Sequence, residues 1–186
     1  MAMQNSRDLF IHEMSDMYDA EQRILQILPA MAQECNQPQV QNVLRQHEQE
    51  TRQQILNLEQ CFQILGAQPD RTVCYAIAGM KQEHDAFLKE QPPAELLTMF
   101  DLSGASKTEA YEIASYRGLI DKALLMGQQQ CAQLLQQNLR QEEAMMQRVE
   151  QIGHQLGQQM AMQAPRMQPP YTGRPPYTQT PPPSAP

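Results

Sequence analysis

Apolar residues recur at spacings of three and four along four long stretches of this 186-residue chain, and an acid interrupts every one of the four stripes. The interrupting residues are Glu21, Glu50, Glu109 with Glu112, and Glu142. Carboxylates are almost never fully buried unless they are paired or bound to metal. One helix with an inward glutamate is an accident, whereas four of them suggest that the acids meet. That is the layout of a carboxylate-bridged metal site inside a helical bundle.

The periodicity predicts an all-α domain. A first helix runs from about Ser6 to Glu34, with Phe10, Met14, Met17, Tyr18, Glu21, Leu25, Leu28 and Met31 on its stripe. A second runs from about Pro38 to Leu65 and carries Val40, Val43, Leu44, His47, Glu50 and Leu58; Gly66 ends it. A short helix is expected from Thr72 to Lys89. The third long helix begins near Ala94, with Ser103-Gly104 as a place for a kink, and reaches Gly127. The fourth spans about Gln128 to Met160. Helices of roughly thirty residues are about 45 Å long. Short loops between antiparallel neighbours then bring the mid-helix acids to one level.

Four or five carboxylates cannot all ionise in a dry core. Few inward Lys or Arg residues stand nearby, so a di- or trivalent metal is the economical counter-charge. Oxygen-rich sites with an imidazole suit iron or manganese. Glu109 and Glu112 stand at i, i+3 and can point at one site; His47 and Glu50 share that spacing. The blander reading is that a stripe glutamate snorkels to solvent, with Glu50 and Glu112 each one position off the buried line. His47 then becomes a hydrogen-bonded core histidine. His12, His84 and His154 fall away from the acidic level and take no role. Met14, Met17, Met145 and Met146 fill core volume.

Composition narrows the function classes. A net charge of −7 argues against a nucleic-acid partner. No apolar run is long enough to span a membrane, and the polar N-terminus has no secretory pattern, so the expected location is the cytoplasm. Cys35, Cys61, Cys74 and Cys131 form no Cys-x-x-Cys pair and are expected to be free. The bundle is assigned to residues 1–162. Residues 163–186 hold most of the prolines and the near-repeat beginning at Pro169 and Pro175. This proline-rich tail is expected to be disordered, either a solubilising segment or a docking peptide for a protein partner.

The run Asp8-Leu9-Phe10-Ile11-His12-Glu13-Met14 through Glu21 resembles the start of the YciE/YciF family of bacterial ferritin-like stress proteins. His47-Glu48-Gln49-Glu50-Thr51 and Cys74-Tyr75-Ala76-Ile77-Ala78-Gly79-Met80 are similar to further family elements. Glu109-Ala110-Tyr111-Glu112-Ile113-Ala114-Ser115-Tyr116 is close to the signature Glu-His-Tyr-Glu-Ile-Ala-Ser-Tyr. The resemblance covers about residues 6 to 155. It implies a ferritin-like antiparallel four-helix bundle, with an extra short helix between helices 2 and 3, that forms a homodimer. It also implies a di-iron site, with manganese as the alternative, to which Glu21, Glu50, Glu109, Glu112 and Glu142 belong. The chain departs from the family at three places: Ala110 replaces a histidine, Arg52-Gln53-Gln54 stand where another is expected, and Met146 replaces an acid. The ferritin-like Glu-x-x-His pattern becomes Glu50-x-x-Gln53 and Glu142-x-x-Met145, leaving His47 as the substitute imidazole.

Two functions follow. The first is a stress-response protein holding two iron ions (or manganese) and handling Fe(II) or peroxide, with ferroxidase- or peroxidase-like activity. Tyr18 or Tyr111 would lie just behind the ligands. The second is a metal-free bundle that kept the scaffold and acts in protein assembly.

Overall fold

The structure, a computed structural model, describes residues 3–163. Five helices account for nearly all of them: α1 (Ser6–Glu34), α2 (Pro38–Ile64), α3 (Tyr75–Lys89), α4 (Ala94–Leu125) and α5 (Gln129–Gln163). No strand occurs among the described residues. The proline-rich segment from residue 164 onward lies outside them, and Gln163, assigned to the tail from sequence, is the last residue of α5.

The ends of the helices follow from local chemistry. The Asn5 side chain accepts a hydrogen bond from the Asp8 backbone N–H at 3.0 Å, and Asp8 places a carboxylate at the positive end of α1. Pro38 opens α2, where its missing N–H costs nothing. Gly66 (φ 59°) and Gly127 (φ 71°) close α2 and α4 in the left-handed region. The following N–H groups reach back to Phe62 O at 2.9 Å and Ala123 O at 2.8 Å, pairing carbonyls that the helix would orphan. α4 continues unbroken through Ser103-Gly104.

Short loops make two hairpins, α1–α2 and α4–α5. The α1–α2 and α4–α5 pairs pack together, α2 packs on α5, and α1 packs on α4. The α2–α5 pair is antiparallel, because Cys61 meets Cys131 while Asn57 meets Asn138 and Gln54 meets Glu142. The long connection from α2 to α4 contains α3, which lies against α1 and α4. This is the one-crossover four-helix arrangement of ferritin-like folds.

Each bundle helix buries a seam that alternates spacings of three and four. The seams include Phe10, Met14, Met17, Glu21, Ile24, Leu28 and Met31 on α1, and Val40, Leu44, His47, Thr51, Gln54, Leu58 and Cys61 on α2. On α5 the run is Cys131, Leu135, Asn138, Glu142, Met145, Val149 and Ile152. Ile24, rather than the expected Leu25, continues the α1 seam, because it alone keeps the step of three from Glu21. The same rule sets Glu50 at the edge of α2, one residue before Thr51. All four cysteines are buried and free.

Candidate metal centre

Where the four seams cross mid-bundle, the apolar core gives way to acids. Glu21, Glu109, Glu112 and Glu142 are fully buried, and His47 nearly so. Four ligand-bearing side chains from three helices (His47, Glu109, Glu112 and Glu142) each bring one donor atom within 4.8 Å of the others. His47 Nδ1 lies 3.3 Å from Glu109 Oε1, and its Nε2 lies 3.9 Å from Glu142 Oε2. Glu21 faces this group from α1 and repels Glu109 and Glu112 electrostatically.

Glu50 is placed differently. Its side chain is 19 % exposed, Gln46 Nε2 donates to its Oε1 at 2.7 Å, and Arg148 approaches at 3.7 Å. Its Oε2 is nevertheless buried without a partner. Glu50 is therefore a rim carboxylate, outside the close group of four.

The donor set suits a cation. Both oxygens of Glu109 and of Glu112, Glu21 Oε2, Glu142 Oε2 and His47 Nε2 are buried with no hydrogen-bond partner among the described residues. Leaving such atoms unpaired is costly. Burial raises Glu21, Glu109, Glu112 and Glu142 above the usual carboxylate range, and mutual repulsion adds to it. Burial also lowers His47 to about 4, so its ring is neutral and can act as a ligand. A metal ion placed among these atoms would neutralise the acids and complete the shells of oxygen and nitrogen together, and such a cluster can hold one.

A layer of hydrogen bonds braces one side of the group. Gln54 donates to Glu142 Oε1, and Tyr116 donates to Glu21 Oε1. Asn138 donates to Tyr116 Oη at 3.0 Å and accepts from Asn57 at 2.6 Å. Of the three residues where a family histidine is expected, Gln54 is the one that faces inward; Gln53 turns out and bonds Asn57 at 3.1 Å. Tyr116, not Tyr18 or Tyr111, is the tyrosine behind the acids. Tyr18 donates to Glu59 at 2.9 Å, and Tyr111 donates to Asp16 at 2.6 Å. The signal for Tyr116 lay in its spacing, since it is four residues past Glu112 on the α4 seam. His84, given no role from sequence, lies beside Glu34 and Asp101 in the second half of α3.

A four-helix bundle with one long crossover and a mid-level cluster of inward carboxylates defines a ferritin-like protein. The chain belongs to the family described as a domain of unknown function, DUF892, whose pattern matches residues 5–162. It is similar to Protein YciF of Escherichia coli (strain K12), at 30% identity over 145 residues that cover 77% of this chain and 87% of YciF. The crystal structure of that stress protein superposes with a TM-score of 0.80 at 27% identity, covering 84% of this chain and 99% of YciF. YcfI from Rhodopseudomonas palustris gives a TM-score of 0.76 at 33% identity, over 79% of this chain and 94% of its own. The YciE/YciF resemblance and the ferritin-like bundle read from sequence both stand.

Proposed function

We propose that this chain is a stress-response metalloprotein that holds two iron ions, or manganese, inside its bundle. The convergence of His47, Glu109, Glu112 and Glu142, with their inner atoms unpartnered, carries this reading. Glu21 supplies a further buried oxygen, and Glu50 one from the rim. Bound iron or manganese would bring redox chemistry, with Fe(II) or peroxide as substrate. The protein's own contribution is placement and dryness. Gln54 and Tyr116 fix the rotamers of Glu142 and Glu21, and the apolar seams on either side exclude water. Location in the cytoplasm and assembly as a homodimer belong to the same proposal. Among the described residues no helix is long and apolar enough to cross a membrane.

The Gln54 amide already satisfies one Glu142 oxygen without metal, which favours a second reading as a metal-free assembly protein. Metal analysis of protein from iron-supplied cells, joined to anaerobic melts with and without Fe(II) or Mn(II), separates the two. A native-state ligand at a hundred times its Kd stabilises by about 2.7 kcal/mol. The expected outcome is bound metal and a melt raised to match. No metal and an unchanged melt would leave only the assembly reading.

A further inference from the structure

A second group of metal-type side chains lies where α3 meets the C-terminal end of α1 and the first quarter of α4. Asp101 of α4 is 97 % buried, and neither of its oxygens has a hydrogen-bond partner among the described residues. His84 Nε2, from α3, also has none. Yet Asp101 Oδ1 lies 3.2 Å and Glu34 Oε2 3.4 Å from that nitrogen. The atoms are close, but their angles do not make hydrogen bonds. Metal bonds of about 2.0–2.2 Å at tetrahedral angles put neighbouring ligand atoms about 3.4 Å apart. The observed separations match that edge. On the far side of the ring, Asp85 Oδ1 lies 3.7 Å from Nδ1. Glu34 is 32 % exposed at its side chain, so the group opens to solvent.

The location adds a role. His84 and Asp101 line a cavity of about 70 Å³ whose walls include Ile24, Leu28, Leu44 and Ile77. His47 of the central cluster lines the same cavity. That volume is large enough for water, and Lys81, Glu83 and Thr108 also line it.

We infer that Glu34, His84 and Asp101 form an outer divalent-cation site that captures the ion and passes it through this cavity to the central cluster. The capture site stands on its own geometry, while its delivery role rests on the central cluster binding metal. Three ligands from three helices leave a coordination position open, as a transfer site requires. An excess of negative charge at a cleft raises the arrival rate of a cation by about tenfold or more.

Anaerobic Co(II) is a suitable probe, since its absorption reports nitrogen and oxygen ligation. Full-length wild-type protein is compared with Asp101→Asn, Glu34→Gln and Glu112→Gln by equilibrium dialysis and by stopped-flow absorbance. Glu34→Gln guards against misfolding, because its side chain is partly exposed. Asp101→Asn should lose one cobalt equivalent, and Glu34→Gln should bind it more weakly. In both, the absorbance phase that Glu112→Gln abolishes should slow by about tenfold and still reach its full amplitude. An unchanged cobalt count in folded Asp101→Asn overturns the site, leaving a histidine held between two acids. A lost equivalent with an unchanged rate overturns the delivery role alone. If Glu112→Gln binds as much cobalt as wild type while Asp101→Asn still loses one, the central reading and delivery both fail and the outer site stands.

Discussion

Glu112 shows how one side chain can oppose stability and serve function. It is fully buried, both oxygens lack partners among the described residues, and burial with the repulsion of Glu142, Glu21 and Glu109 raises its pKa far above the ordinary value. Replacing a buried ion pair by apolar residues of similar size is often neutral or stabilising by about 1–4 kcal/mol, and a buried acid without a partner has no pairing energy to lose. Glu112→Leu should therefore raise the melting temperature of the metal-free protein, measured in chelator, and reduce metal uptake. A lower metal-free melt for Glu112→Leu would mean that the acid is paired in a way these contacts do not contain. The residue is visible in sequence because it breaks an apolar stripe. Its partners are less visible, since Tyr116 and Gln54 look like ordinary seam residues until the helices are brought together.

The helices depend on where each glycine stands. Gly127 closes α4 at φ 71°, a conformation that a Cβ disfavours, although nothing lies within 4 Å of the added atom. Gly104 stands inside α4 with ordinary helical backbone and equally open space. Gly127→Ala should cost about 1 kcal/mol, and Gly104→Ala should gain up to about 1 kcal/mol. Chemical denaturation of both variants checks the opposite signs. The five helices were legible from periodicity, with Gly66, Gly127 and Pro38 marking their ends. α4 runs unbroken through Ser103-Gly104, the place for a kink, because a single glycine costs a long helix only about 1 kcal/mol and packing on α5 and α1 offsets it. α3 begins at Tyr75 rather than Thr72, since its first residues are used instead in contacts to α1, where the Cys74 N–H donates to Asp19 at 2.7 Å.

Across the molecule, the buried acids couple stability to pH. The folded pKa values of Glu21, Glu109, Glu112 and Glu142 lie above the unfolded value of about 4.3. Their protonated forms favour folding below that value, and the benefit is lost as pH rises through the folded values. His47, lowered to about 4, acts in the opposite sense: its contribution is full above about 6.5 and lost as pH falls through about 4. Four acids outweigh one imidazole, so the metal-free protein should melt at progressively lower temperature from pH 5 to pH 8. Metal binds the deprotonated carboxylates and competes with protons. The gain in melting temperature from Mn(II) should therefore widen over the same range. A metal-free melt that rises with pH would show that the acids are not the dominant titrating groups.

Local chemistry alone determined the helices, their capping residues and the unusual placement of acids on four stripes. These depend on a 3.6-residue period and on neighbours a few positions apart. Tertiary structure decided which of the acids share a point. Glu21, Glu109, Glu112 and Glu142 turn fully inward, whereas Glu50 sits about 100° off its seam and meets Arg148 at the rim. The three-helix meeting of Glu34, His84 and Asp101 was likewise invisible in the chain, because the path of the crossover, and not any spacing in sequence, carries His84 to them.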